Sequence, residues 1–166
     1  MEKVHILNED AIARKLKRMA YEIWEKNNAI DTLEIIGIAD GGVKVAKNLL
    51  AILEQIADFK VNLTTLSLNK QNPLAEPILL PETLDLNNKH VLLIDDVANS
   101  GKTLLYALKP ILDFLPKKVQ IAVLVDREHK SYPIIPDIVG HVIATTLQDT
   151  IIVNYDDLKI VSAHIE

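Results

Sequence analysis

The sequence predicts an α/β fold, a mostly parallel twisted sheet with helices on both faces. Three observations predict it. Short β-branched and aliphatic runs alternate along the chain with stretches of helical periodicity. Two of the predicted strands are continuous apolar runs, as expected of strands covered on both faces. The 166 residues, of which 49% are apolar, suffice for a single domain over 1–166 with one core.

Taken in order, residues 9–26 predict an amphipathic helix: Ile12, Leu16, Met19, Ile23 and Trp24 recur at helical spacing, with Arg14, Lys15, Lys17 and Arg18 between them. Asn8 is its N-cap and Trp24 is expected in the core. Residues 32–38 read as a buried strand, 39–42 as the turn Ala39-Asp40-Gly41-Gly42, and 43–57 as a second helix. Residues 60–68 alternate enough for a strand, whereas 69–81 carry three prolines and predict a loop. A third strand, 91–94, ends in Asp95-Asp96; the loop 97–100 then leads into a helix over 102–114. Residues 119–125 predict a fourth strand, and 137–143 and 150–153 shorter ones. In parallel sheets ligands sit outside the carboxyl ends of the strands, so the loops at 39–42, 97–101 and 126–130 should gather on one edge.

Composition removes several function classes. There is no cysteine, which excludes disulfides, thiolate metal sites and thiol catalysis. No apolar run reaches the roughly 18 residues a membrane span needs. The first eight residues carry charges and lack a signal-peptide core, so a cytoplasmic location is expected. A net charge of −5 and few aromatics argue against a broad nucleic-acid surface. The cluster from Arg14 to Arg18 reads first as a solvated helix face, leaving RNA as a possible but not favoured partner. The five histidines show no metal-ligand spacing; His129, just beyond a strand end, has the best functional case.

The chemistry concentrates in residues 91–103, VLLIDDVANSGKT. A buried strand delivers two adjacent carboxylates, Asp95 and Asp96, and a small polar turn then opens a helix. Unpaired backbone N–H groups at a helix start, with its dipole, favour an anion. Gly101 admits close backbone approach, and Ser100 and Thr103 add hydroxyl donors. The acids can accept hydrogen bonds from vicinal hydroxyls. A phosphate pocket beside a diol acceptor describes a ribose phosphate. A P-loop reading of Gly101-Lys102-Thr103 fails, because the glycine it needs five residues earlier is Asp96.

This segment resembles the phosphoribosyl-pyrophosphate signature of type I phosphoribosyltransferases. Residues 4–12 with the basic helix after them, 121–130 and 136–140 are similar to the pyrimidine operon attenuation regulator family, whose members often have uracil phosphoribosyltransferase activity. The resemblance implies a type I phosphoribosyltransferase fold with a small hood built from the terminal segments. It implies a transferase that joins phosphoribosyl pyrophosphate to a nucleobase, a pyrimidine such as uracil, with release of pyrophosphate. The alternatives are a pyrimidine-operon RNA-binding regulator and a catalytically weak nucleotide-binding protein. It assigns Asp95 and Asp96 to the ribose hydroxyls and to support of Mg2+, and Ala98, Asn99, Ser100, Gly101, Lys102 and Thr103 to the terminal phosphate. Asp40, Gly41 and Gly42 fall at the pyrophosphate loop, and Asp126 and Arg127 with residues 145–152 at the base-binding hood. Asp95, Asp96, Asn99 and Lys70 are the candidate catalytic residues, Lys70 by folding over the leaving group. A homodimer or larger homo-oligomer is expected.

The chain differs from the family pattern at four places. Asp40 stands where an arginine is usual, the loop at 69–73 is short with Lys70 its one cation, Asn99 replaces an aromatic, and residues 144–153 hold no aromatic to stack a base.

Overall fold

A computed structural model describes residues 3–146 and 148–166. The elements are β1 (Val4–Asn8), α1 (Glu9–Lys26), β2 (Thr32–Ile38), α2 (Gly41–Ile56), β3 (Lys60–Leu66), β4 (His90–Ala98), α3 (Lys102–Ala107), a 3-10 turn (Ile111–Asp113), β5 (Lys118–Arg127), β6 (Ile138–Ile143), β7 (Ile151–Asp156) and β8 (Lys159–Ile165). Five strands form a fully parallel sheet in the order β3-β2-β4-β5-β6. The termini build a second, antiparallel sheet in the order β1-β8-β7, which is the hood.

The long helices share one face. Ile12, Leu16, Met19 and Ile23 of α1, and Val45, Leu49 and Leu53 of α2, meet Leu33, Ile35, Leu92, Ile94 and Leu124 of the sheet. On the opposite face the cover is mostly not helical: Leu104 and Ala107 of α3, Ile111, and loop residues Ile78, Leu80, Leu84 and Leu86 pack against Ile36, Leu93 and Val123. Asn8 caps α1 as expected, accepting from Ala11 N at 2.9 Å.

Several boundaries differ from the sequence expectation. The helix predicted over 102–114 stops at Ala107 and resumes only as a 3-10 turn. Pro110 lacks an N–H and disfavours helical geometry at the residue before it. β4 does not end before the acids. It runs through Asp95 and Asp96 to Ala98, because β5 is long enough to pair Asp95 with Val123, Val97 with Val125 and Ala98 with Asp126. The helix expected from residue 43 begins at Gly41. The terminal strands β1 and β8 are absent from the sequence expectation. Trp24 is half-buried at the rim of the core, its Nε1 donating to Asp58 at 3.3 Å.

α1 crosses β6 where Gly140 lies under it. A Cβ at Gly140 would stand 2.4 Å from the carbonyl oxygen of Leu124 and 3.1 Å from the sulfur of Met19. Arg18 seals the same crossing by donating to the carbonyls of Val139 and Gly140 at 2.9 and 2.7 Å. Gly140→Ala should therefore destabilise the fold by about 1–3 kcal/mol through overpacking. Urea denaturation measures this, and an unchanged midpoint would show that the crossing is looser than described.

Candidate functional site

Two adjacent carboxylates sit side by side inside β4 and differ sharply in environment. Asp95 is only 1% exposed, although the sequence places both acids at the end of the strand. Its Oδ1 accepts from the Asp96 N–H at 2.9 Å and lies 3.3 Å from Lys70 Nζ. Burial, and then the neighbouring Asp96, push its carboxyl up to about 8, against the opposing pull of Lys70. Asp96 is half-buried. Its Oδ1 accepts from Val97 N at 2.9 Å and its Oδ2 from the Tyr155 hydroxyl at 2.8 Å. Burial and the same carboxylate raise the Tyr155 phenol well above its usual range, so it stays a donor.

The turn at 39–42 brings α2 onto these acids. A Cβ at Gly41 would lie 2.0 Å from Asp96 Oδ2, and one at Gly42 would lie 2.5 Å from the carbonyl oxygen of Ile94. Only glycine fits at either position. The amino end of α2 thus faces the acid pair, a favourable direction for its dipole. Asp40 is exposed and makes no capping bond, and the Ala39–Asp40 peptide is cis.

The loop after β4 is pinned from several sides. Gly101 has a φ of 83°, the left-handed region that favours glycine. Ser100 accepts Lys102 N on its hydroxyl at 3.2 Å, and its carbonyl accepts Ser131 N and Tyr132 N at 3.1 and 3.0 Å. Lys102 turns its ammonium away, to the carbonyl of Gln71 at 2.8 Å. Arg127 is buried; its Nη2 donates to Asn99 Oδ1 at 3.2 Å and to the Asp149 carbonyl. The Arg127 Nε finds no acceptor among the described residues. Asp126 pairs with Lys130 at 2.8 Å in a buried ion pair.

A cleft of about 360 Å³ opens between this loop and the hood. Lys70, Asp95, Asp96, Ala98 to Gly101 and Thr103 form one side of it, and Ile151, Ile152 and Val153 of β7 the other. Of the residues singled out from sequence, Asp40, Gly41, Gly42, Lys102, Asp126 and Arg127 do not line it. The glycines are consumed in packing, Lys102, Asp126 and Arg127 in bonds to the protein, and Asp40 faces solvent. The sequence offers Tyr155 only a packing place, at an interface or at the hood, whereas its hydroxyl reaches Asp96. Its signal lay in the two-residue period of a strand, which puts it on the face of Ile151 and Val153, both buried. Among the described residues no group of three or more His, Asp or Glu side chains is placed to hold a metal. His129 is exposed and makes no side-chain hydrogen bond among the described residues, whereas His164 is buried against Asn154 at 2.9 Å.

The profile of the phosphoribosyl transferase domain matches residues 4–155. A protein of Clostridium novyi (strain NT) named "Bifunctional protein PyrR" is 35% identical over 161 residues, 92% of this chain and 90% of its own. One of the same name from Limosilactobacillus reuteri is 36% identical over 156 residues, 88% of each chain. The hypoxanthine phosphoribosyltransferase of Trypanosoma cruzi superposes with a TM-score of 0.76, at 20% identity, over 96% of this chain and 95% of that one. A hypoxanthine-guanine phosphoribosyltransferase from Bacillus anthracis gives 0.72 at 19% identity, over 85% and 82%. At such identities the structures establish the type I fold.

The buried acid makes a pH prediction. Asp95 holds its proton up to about 8 when folded, against 3.8 in an open chain. Between those values the folded state binds the extra proton, so stability must fall as pH rises through the window. Asp95→Asn removes that dependence. Thermal melts between pH 4.5 and 8.5, about the span in which the two states differ in protonation, should show the parent losing stability relative to the variant. Parallel curves would refute the raised acidity constant.

Proposed function

The chain belongs to the phosphoribosyl transferase domain family and is a phosphoribosyltransferase; we propose that it joins phosphoribosyl pyrophosphate to a pyrimidine base such as uracil, releasing pyrophosphate. The single observation that carries this reading is the shared cleft, in which a carboxylate pair and a pinned phosphate-type loop line one wall.

In this reading the loop from Asn99 to Thr103 cradles the 5-phosphate with its backbone N–H groups and with the hydroxyls of Ser100 and Thr103. Arg127 acts from behind by holding Asn99. Asp95 and Asp96 accept the ribose hydroxyls. As the bond to pyrophosphate lengthens, positive charge builds on the sugar, and the Asp96 carboxylate stabilises it. Lys70, already 3.3 Å from Asp95, lies where it can swing to the departing oxygens. The apolar face of Ile151, Ile152 and Val153 would cover the base and exclude water. A pyrimidine is favoured by the likeness of residues 4–12, 121–130 and 136–140 to the pyrimidine regulators.

Magnesium fits this site in a limited way. Asp95 and Asp96 offer hard oxygen donors but no closed cage, which suits an ion that keeps several waters and binds largely through substrate oxygens. When bound, it would supply neutralising charge to the leaving pyrophosphate. We also place the protein in the cytoplasm, as a homo-oligomer.

A second reading, an RNA-binding regulator, would use the basic face of α1. Arg18 is committed to β6 carbonyls and to Glu22, which leaves Arg14, Lys15 and Lys17. So small a basic set favours weak binding, and filter binding against a pyrimidine-operon leader in physiological salt measures it.

The direct test is pyrophosphate release with phosphoribosyl pyrophosphate, magnesium and a panel of bases. Release with uracil is expected; none with any base would overturn the enzymatic reading. Asp96→Asn should weaken phosphoribosyl pyrophosphate binding by about ten- to a hundredfold, since a hydrogen bond to a charged acceptor contributes about 1.5–3 kcal/mol. Calorimetry reads this, and undiminished affinity would remove Asp96 from the site.

A further inference from the structure

One side chain of the hood reaches across to the acid pair. Tyr155, on β7, donates its hydroxyl to Asp96 Oδ2 at 2.8 Å, while Val97 N occupies Asp96 Oδ1 at 2.9 Å. A carboxylate has about four lone-pair positions, so these two bonds fix its rotation and still leave room for further donors. Gly41 closes the space behind: its missing side chain is what admits both Asp96 Oδ2 and the Tyr155 hydroxyl. The tyrosine is itself held. Lys44 Nζ lies 4.6 Å from the centre of its ring, a cation–π contact from the first turn of α2. Asn48, one turn on, donates to the carbonyl of Leu158 at 2.8 Å and so ties the β7–β8 turn to the same helix.

We propose that Tyr155 is a positioning residue of the ribose site: it sets the Asp96 carboxylate for a ribose hydroxyl, and Lys44 holds the ring in place. This rests on the cleft being a ribose-phosphate site. The role concerns only ligands that carry ribose hydroxyls. Pyrophosphate carries no ribose hydroxyl and has no use for Asp96 as an acceptor, because both are anions. Ligand selectivity therefore separates positioning from general packing.

The experiment titrates ribose 5-phosphate and, separately, inorganic pyrophosphate into the parent protein, Tyr155→Phe and Lys44→Gln by calorimetry, with a melt of each variant. Tyr155→Phe removes one oxygen and should weaken ribose 5-phosphate about tenfold, the scale of one hydrogen bond to a charged group. Pyrophosphate affinity should not change. Lys44→Gln should show the same selective loss to a smaller degree, and it serves alone if Tyr155→Phe melts too low to titrate. Equal loss for both ligands would reduce Tyr155 to packing and overturn the proposal. A gain in ribose 5-phosphate affinity would also overturn it, by showing that the tyrosine competes for Asp96. If the parent protein binds pyrophosphate but not ribose 5-phosphate, the ribose reading of the cleft falls, and the positioning role falls with it.

Discussion

The structure is organised around the burial of two neighbouring carboxylates inside a parallel strand. Desolvating one such group is costly, and placing a second beside it adds repulsion. Each adjoining feature offsets part of that cost. The Asp96 and Val97 amides donate to the carboxylates, Lys70 approaches Asp95, and Tyr155 donates to Asp96. The amino end of α2 can come close enough to help because residues 41 and 42 are both glycine. The pair is thus held by four separate segments of chain.

Much of the fold was legible in the sequence, because its signals were local. The stripe of Ile12, Leu16, Met19 and Ile23, and the apolar runs of β4 and β5, need no knowledge of their partners. What escaped depended on pairing. The extension of β4 through Asp95 and Asp96 follows from the length of β5, whose residues 123–126 supply the ladder. β1 and β8 find each other only across nearly the whole length of the chain, in the order β1-β8-β7. The break in the helix after Ala107 was in principle visible in Pro110.

The site divides in the same way. The phosphate-type loop is contiguous, and its residues Asn99 to Gly101 and Thr103 reach the cleft together. Residues drawn from distant segments fared differently. Asp126 found Lys130, Arg127 found Asn99, and Lys102 found a carbonyl of the loop at 69–73. A charged side chain near a strand end has many possible partners, and its sequence position does not choose among them. Tyr155, 59 residues from Asp96 along the chain, is the plainest case.

The pairing of β1 with β8 has a consequence for how the molecule comes into being. β1 precedes every other described strand along the chain, yet its partner is the strand formed by residues 159–165. Contacts that close so large a loop form late. The hood should therefore be the last part of the fold to settle during refolding, so that the cleft gains its cover only when β1 meets β8.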